Sequence, residues 1–523
     1  MVWHIFKKDF KLLWSFILLA ALLHWINALV YYQRGLFSND VTLEMLSEYL
    51  PELALFASMF LIAAIVHLEA IPGVRQDWLI RPVPRGVLLL EKFLFVLVAV
   101  EGPIFIANLA EGLADGFSLQ SSLSHALGFV TVVLFFLVLP IFAFASVTGN
   151  MTQAFILGCG CTFIIGVFLT LTGWWDFASH HTLLTVTHSG IGWIAEAFRF
   201  ALVLVAASVI LSLEYFRRKT TLARIMVIVF GLLLLLSSYL PWKPVFAIET
   251  RLSPSPGAAA AVNLAFDPTL GQFKPPSGLN ASQEPGQGNN NENNARAFLF
   301  LPLRITGMGN DAILLADRVD VYLIDQNSRV LYHGAGGDLE VRREGPQPHE
   351  EPPFQQFPIP RPIYDKVRDR QLTVRLDYSL TLFGLDRSFS LPALNGEGRT
   401  LDWGWCQSKM NDGGTSVMLH CMKPGTPPTC ATAFLENTAS GARNPSRSAC
   451  LSEYGPFTNG FADDISRFGV SFPFRDPAGL AKYPVDGPQL SNSRLVIRTY
   501  QPETHFTRTV TIKGTTLRDW ESQ

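Results

Sequence analysis

Charge is scarce in this chain. Asp, Glu, Lys and Arg make up 16% of its 523 residues and apolar side chains 49%, where ordinary soluble proteins carry about 25% charged residues. That balance excludes a disordered chain and argues against a soluble enzyme. The net charge of −2 offers no basic excess to neutralise phosphates, so no nucleic-acid partner is expected. Catalytic signatures are missing as well. The sequence has no GxxxxGK[ST] loop to cradle ATP, no GxSxG and no GxGxxG. The string at His349–Pro353 is not a zinc-binding HExxH, and its prolines oppose the helix that motif needs. No enzymatic activity, catalytic residue, cofactor or metal is therefore expected.

What the chain has instead is long apolar runs, and they are confined to its first half. Residues 1–242 hold 13 Lys/Arg and 14 Asp/Glu, and the remaining 28 and 29 lie beyond. A membrane span needs about 20 apolar residues. Seven stretches meet or approach that length: Leu12–Val30, Leu53–Leu68, Val87–Ala110, His125–Val147, Ala154–Leu171, Ala197–Leu213 and Ile225–Leu240. The short connections set the orientation. Lys7, Lys8, Lys11, Arg75, Arg81, Arg85, Lys92, Arg217, Arg218, Lys219 and Arg224 fall on one side, and only Arg34 and Arg199 on the other. Lys and Arg concentrate on the cytoplasmic face, so the N-terminus is expected inside and everything after Trp242 outside. The bacterial inner membrane fits best.

The expected organisation is a membrane domain over 1–242, an irregular linker over 243–295 and an extracytoplasmic domain over 296–523. The linker is rich in Pro, Gly, Ala and Asn. Beyond it the hydrophobic period shortens towards two in AFLFLPLRI, RVDVYLIDQ, RVLYHG, LTVRLDYSLTLF, SRLVIRTY and FTRTVTIKG. Short β-branched and aromatic runs separated by turns predict an all-β, sandwich-like domain.

Six cysteines divide four to two. Cys406, Cys421, Cys430 and Cys450 lie outside and fit two disulfides. Three pairings are open. Cys406–Cys421 across a hairpin with Cys430–Cys450 is favoured, and zinc is the rival, weakened by the lack of CxxC. Cys159 and Cys161 read as small packing residues of the fifth span. His180, His181 and His188 in the following loop, and His24 and His67 in different spans, could ligate a metal or haem but read more simply as polar or packing groups. Glu101, followed by Gly102-Pro103, stands out because an ionisable group inside a span is expensive. It is a candidate lining of a translocation path, or else an interfacial side chain. Glu69, Glu91 and Lys92 read as interfacial.

The segment Leu68–Lys92, LEAIPGVRQDWLIRPVPRGVLLLEK, is the most informative. A short helix-like piece, Val74–Ile80, is followed by Pro82-Val83-Pro84-Arg85, an apolar run and Lys92. This resembles the type-2 ABC exporter permeases, whose loop between spans two and three carries an acidic-flanked helix and a "PVSR…L…K" element. The basic N-terminal MVWHIFKKDFKLLWSF resembles their interfacial lead-in helix, and Gly173–Glu196 their re-entrant hairpin. The resemblance covers about residues 1–220. It implies that Arg75, Asp77, Trp78, Leu79, Arg81 and Arg85 dock a separate ATP-binding subunit, and that the chain works as a homodimer or beside a related permease. A seventh span and a large outer domain depart from the family's six-span core. The alternative is an anchored extracytoplasmic binding or assembly protein whose membrane part transports nothing.

Overall fold

The computed structural model describes residues 2–35, 41–68, 85–114, 119–160, 163, 166–167, 192–217, 219–237, 242–271, 296–337, 339–343, 353–400, 404–410, 416–423, 429–444, 447–451, 466–473 and 484–521. The first part is helical. Helix α1 (Val2–Gly35) has no Gly or Pro before its last residue. Nothing therefore breaks it, and the expected interfacial lead-in forms the first turns of one continuous helix. Its 34 residues reach about 51 Å at 1.5 Å per residue, well beyond a hydrocarbon core of about 30 Å.

Helix α2 (Val41–Leu68) follows, then α3 (Arg85–Val96), α4 (Gly102–Ala114), α5 (Leu119–Val133) and α6 (Leu139–Ser146). Helices α3 and α4 are joined by a π-helical turn, Leu97–Glu101, and α5 and α6 by another, Leu134–Val138. Both turns have a proline cause. Pro103 and Pro140 lack the N–H that would bond the carbonyls of Ala99 and Phe136. The ladder widens just before each, with Gly102 N–H donating to Leu97 O and Leu139 N–H to Leu134 O. The kink expected at Gly102-Pro103 is this turn.

Helices α7 (Met151–Gly160), α8 (Gly192–Leu211, ending in a π-helical turn at Ser212–Phe216) and α9 (Thr220–Leu236) complete the helical part. Among the described residues, five helices are long and apolar enough to cross a membrane: Val2–Val30, Tyr49–Leu68, Gly86–Ala114, Ser122–Ser146 and Ala197–Phe216. The expected fifth and seventh spans coincide with α7 and α9, which are shorter. The bundle packs Leu61, Ile65, Phe95, Val100, Val138 and Phe142 into one core. Leu12, Trp14, Leu18, Leu22, Trp25 and Leu29 of α1 remain exposed, as a lipid-facing helix requires. Helices α6 and α8 run the same way. Phe136 meets Phe200 near one level, and Val147 packs with Leu213 and Ala223 near the other.

The segment expected as an irregular linker is partly structured. Helix α10 (Trp242–Leu252), a single turn α11 (Ala258–Ala261) and strand β1 (Asn263–Phe266) lead into the β-rich part, and 272–295 lies outside the described residues. Proline and alanine dominate the composition here, but Val245, Phe246 and Glu249 share one buried face of α10. Gly307 is a glycine for a steric reason. Its φ of +78° brings it so close to the Ala261 carbonyl that no Cβ fits.

The strands are β2 (Arg296–Thr306), β3 (Ala312–Ile324), β4 (Val330–Ala335), β5 (Glu340–Arg343), β6 (Phe354–Pro360), β7 (Leu372–Pro392), β8 (Glu397–Thr400), β9 (Gly404–Met410), β10 (Ser416–Lys423), β11 (Thr429–Asn437), β12 (Arg447–Leu451), β13 (Ser466–Pro473) and β14 (Ser493–Thr515), with helix α12 (Arg361–Val367) between β6 and β7. They form a seven-stranded sheet, β12-β11-β14-β7-β3-β4 with β5 beside β3, a three-stranded sheet β1-β2-β6 and a four-stranded sheet β13-β10-β9-β8. Strands β7 and β14, 21 and 23 residues long, serve two cores. At one end Val374, Leu376, Tyr378 and Leu380 face Leu299, Leu301 and Phe357 of the small sheet. At the other end Leu391, Leu495 and Ile497 pack with Val417 and Leu419. The register shifts at Thr499/Tyr500 and Pro502/Thr504 fall between the cores. SRLVIRTY and FTRTVTIKG are thus one strand, not two. Pro502 cannot donate to the ladder and is absorbed at an irregularity.

Candidate functional site

Three polar assemblies stand out among the described residues. The first closes one end of the helical bundle. The carbonyls of a helix's last turn have no partner within the helix, and here cations from other helices supply one. The buried Lys92 ammonium donates to Ile65 O at 2.5 Å and to Val66 O at 3.4 Å. Arg224 Nε donates to Val147 O at 3.1 Å, just past the end of α6. His67 bonds Thr148 Oγ1 at 3.1 Å, and Thr148 in turn donates to Ala145 O. Buried Asp9, Glu91 and Glu214 belong to the same end of the bundle. Of the expected docking residues, Arg75, Asp77, Trp78, Leu79 and Arg81 lie outside the described residues, and Arg85 is the first residue of α3. The segment holding them leaves α2 at Leu68 and enters α3 at Arg85, so both of its ends are tied into this network. Glu91 and Lys92 are fully enclosed at this end of the bundle. Glu69, Cys161 and the three loop histidines also lie outside the described residues.

The second assembly lies inside the bundle towards the other end. Glu101 is 2% exposed and its carboxylate has no hydrogen-bond partner among the described residues. It faces the interior and not an interface. Ile104, Asn108 and Glu111 continue the same buried face at helical spacing. His24, Asn27, Asn108 and Glu111 line a cavity with Ala28, Pro51, Leu55, Ala107 and Phe129. His24 bonds Ser58 at 2.9 Å and His67 bonds Thr148, so the two histidines serve different partners. Asn27, Asn108 and Glu111 were not singled out from sequence. The signal was there, as polar residues spaced by seven and three along an apolar span from Glu101.

The third assembly joins α10 to the β-rich part. His505 of β14 sits 3.5 Å from Glu249 of α10, its backbone N–H donates to Ser253 Oγ at 2.9 Å, and Phe246 packs edge-on against its ring. His505 Nδ1 meets Thr381 Oγ1 at 2.8 Å, and Thr381 donates to Asp317 at 2.5 Å. Burial pushes the Asp317 carboxyl up to about 7, against the pull of the Thr381 bond, and burial lowers the His505 imidazole to about 4. A hydroxyl beside an imidazole beside a carboxylate has the outline of a hydrolytic relay. Thr381, His505 and Glu249 are all enclosed, however, so the chain of groups fastens elements together and presents no nucleophile.

In the β-sheets Cys406 stands directly opposite Cys421 in the β9–β10 register, and Cys430 opposite Cys450 in β11–β12. Among the described residues the one free thiol is the exposed Cys159. No protein-family model matches this chain, and no curated protein matches it.

Proposed function

We propose that the chain is the permease-like subunit of an ABC-type exporter, working as a homodimer or beside a related permease, with ATP bound by a separate cytoplasmic subunit. In this reading seven spans cross a bacterial inner membrane with the N-terminus inside, and the β-rich domain lies outside. The parallel course of α6 and α8 supports an added crossing between them, and the cationic caps Lys92 and Arg224 support a cytoplasmic position for their end of the bundle. The two opposed cysteine pairs support disulfides Cys406–Cys421 and Cys430–Cys450. Directly opposed Cα atoms of antiparallel strands lie about 4.5–5.5 Å apart, within the span a disulfide bridges.

The observation that carries the proposal is the network around the ends of segment 69–84. A displacement of that segment by a closing ATPase pair reaches α2 and α3 through Lys92, then α6 through His67–Thr148 and α9 through Arg224. Helix α9 leads to α10, and α10 is bonded to β14 through Glu249, Ser253 and His505. The test is affinity capture of the ATPase by the tagged chain. Trp78→Ala and Asp77→Arg abolish capture while leaving the outer domain's proteolytic pattern intact. Undiminished capture with both variants contradicts the docking assignment.

One observation favours the alternative reading of an anchored binding module. On the β3–β4–β7 face Tyr322 stacks on His333 with ring centroids 4.4 Å apart, and Arg375 lies over the same tyrosine. A flat aromatic surface of this kind suits a planar or sugar-like ligand.

A further inference from the structure

On the reading that α8 and α9 cross the membrane, we infer that α10 is an interfacial helix whose outward face binds the phospholipid surface. Helix α10 has two faces. Val245, Phe246 and Glu249, with Ser253 just beyond, are buried. This face meets β14 at His505. The opposite face is open. Pro244, Ile248 and Leu252 recur at helical spacing as an apolar row along it, with Ile248 47% and Leu252 59% exposed. Lys243, Ala247 and Arg251 form a neighbouring exposed row, basic at both ends.

An apolar row beside a basic row matches the boundary between acyl chains and their phosphates. The height of the helix selects the same occupant. Arg199, near the start of α8, donates to Ser237 Oγ just past α9 at 3.3 Å, so the two helices meet at this end of the bundle. Helix α10 begins soon afterwards, at Trp242, and packs against α8. Both neighbours turn apolar side chains outward, Phe198 and Leu204 on α8 and Leu232 and Leu236 on α9. The open row of α10 therefore continues a lipid-facing surface at the point where the β-rich part begins. Long basic side chains lay their stems along such a layer and reach the headgroups with their charges. Lipid bound on one face of α10 and β14 on the other hold the β-rich part to the membrane surface.

The experiment is spin labelling of the full chain, reconstituted in vesicles of phosphatidylcholine and phosphatidylglycerol. Single cysteines replace Ile248 or Leu252 in a background lacking Cys159 and Cys161, with the unsubstituted background as blank. Both positions are exposed, so the label displaces no core. Leu232→Cys on α9 is the lipid reference, and Gln326→Cys in the exposed turn after β3 is the water reference. The accessibility to oxygen, which partitions into lipid, is compared with that to a water-soluble nickel chelate. The ratio at Ile248 and Leu252 is expected to exceed that at Gln326 several-fold and to fall short of that at Leu232. Replacing Lys243 and Arg251 together by Glu is expected to move the ratio at Ile248 towards the water value. An unchanged ratio in that variant overturns the headgroup contact. Water-like ratios at Ile248 and Leu252 beside a lipid-like Leu232 overturn the inference and leave the crossing of α9 standing. A water-like Leu232 overturns the crossing itself, and the placement of α10 with it.

Discussion

Lys92 Nζ lies 2.5 Å from the backbone oxygen of Ile65, joining α3, two turns past its start, to the last turn of α2 on either side of segment 69–84. An ammonium buried in this way stabilises both the open carbonyls of a helix end and the helix dipole. Lys92→Met removes the donor and leaves those carbonyls enclosed. The expected loss is about 1–3 kcal/mol, read as a lower Tm in detergent, with Lys92→Arg retaining more stability than Lys92→Met. If the proposed coupling is right, Lys92→Met also uncouples ATP hydrolysis from substrate while the ATPase still binds. Full coupling in Lys92→Met removes this contact from the route.

Glu101 is enclosed without a hydrogen-bond partner among the described residues. Such a group is retained against stability, because burying an unpaired polar side chain is unfavourable. Glu101→Leu is therefore expected to raise the Tm and, on the proposed exporter reading, to lower transport. A drop in Tm of several degrees shows that the carboxyl is structurally satisfied.

The β-rich domain carries two opposed titrations. Asp317, held up to about 7 from 3.8, favours the folded state fully below pH 4, and that contribution is lost as pH rises to 7. His505, held down to about 4 from 6.5, favours the folded state above pH 6.5, and that contribution is lost as pH falls to 4. The two slopes oppose each other between these values. Asp317→Asn leaves the histidine slope, so stability climbs with pH across this window, and His505→Gln leaves the aspartate slope, so it declines. Denaturant midpoints at successive pH values measure both. Parallel profiles for wild type and both variants show that neither group is linked to folding.

Non-reducing peptide mapping is expected to give Cys406 linked to Cys421 and Cys430 linked to Cys450. Replacing either pair by alanine is expected to lower stability by about 2–5 kcal/mol. Crossed pairs, or four free thiols in protein isolated from an oxidising compartment, contradict the proposed placement outside.

The sequence showed the helices because hydrophobic runs are a one-dimensional signal. Tyr49–Leu68, Gly86–Ala114 and Ala197–Phe216 follow the expected spans closely. Asn108 and Glu111 escaped notice because their significance depends on which face α4 turns inward, and that is set by α1 and α5. Helix α10 was hidden by the proline and glycine around it. The union of SRLVIRTY with FTRTVTIKG across Pro502 was hidden for another reason. QPETH has turn composition, yet β7 offers a continuous partner strand on the far side of the irregularity. The docking residues between Arg75 and Arg81 were suggested by resemblance, and the structure describes only the helix ends that flank them.

Whether a nucleotide-driven partner exists is the most direct question. The tagged chain is purified in mild detergent and what accompanies it is identified by mass spectrometry. The account predicts a near-stoichiometric protein carrying GxxxxGK[ST], lost from the Asp77→Arg preparation. Recovery of the chain alone, or only with proteins that bind the β-rich domain, contradicts it and favours an anchored binding module.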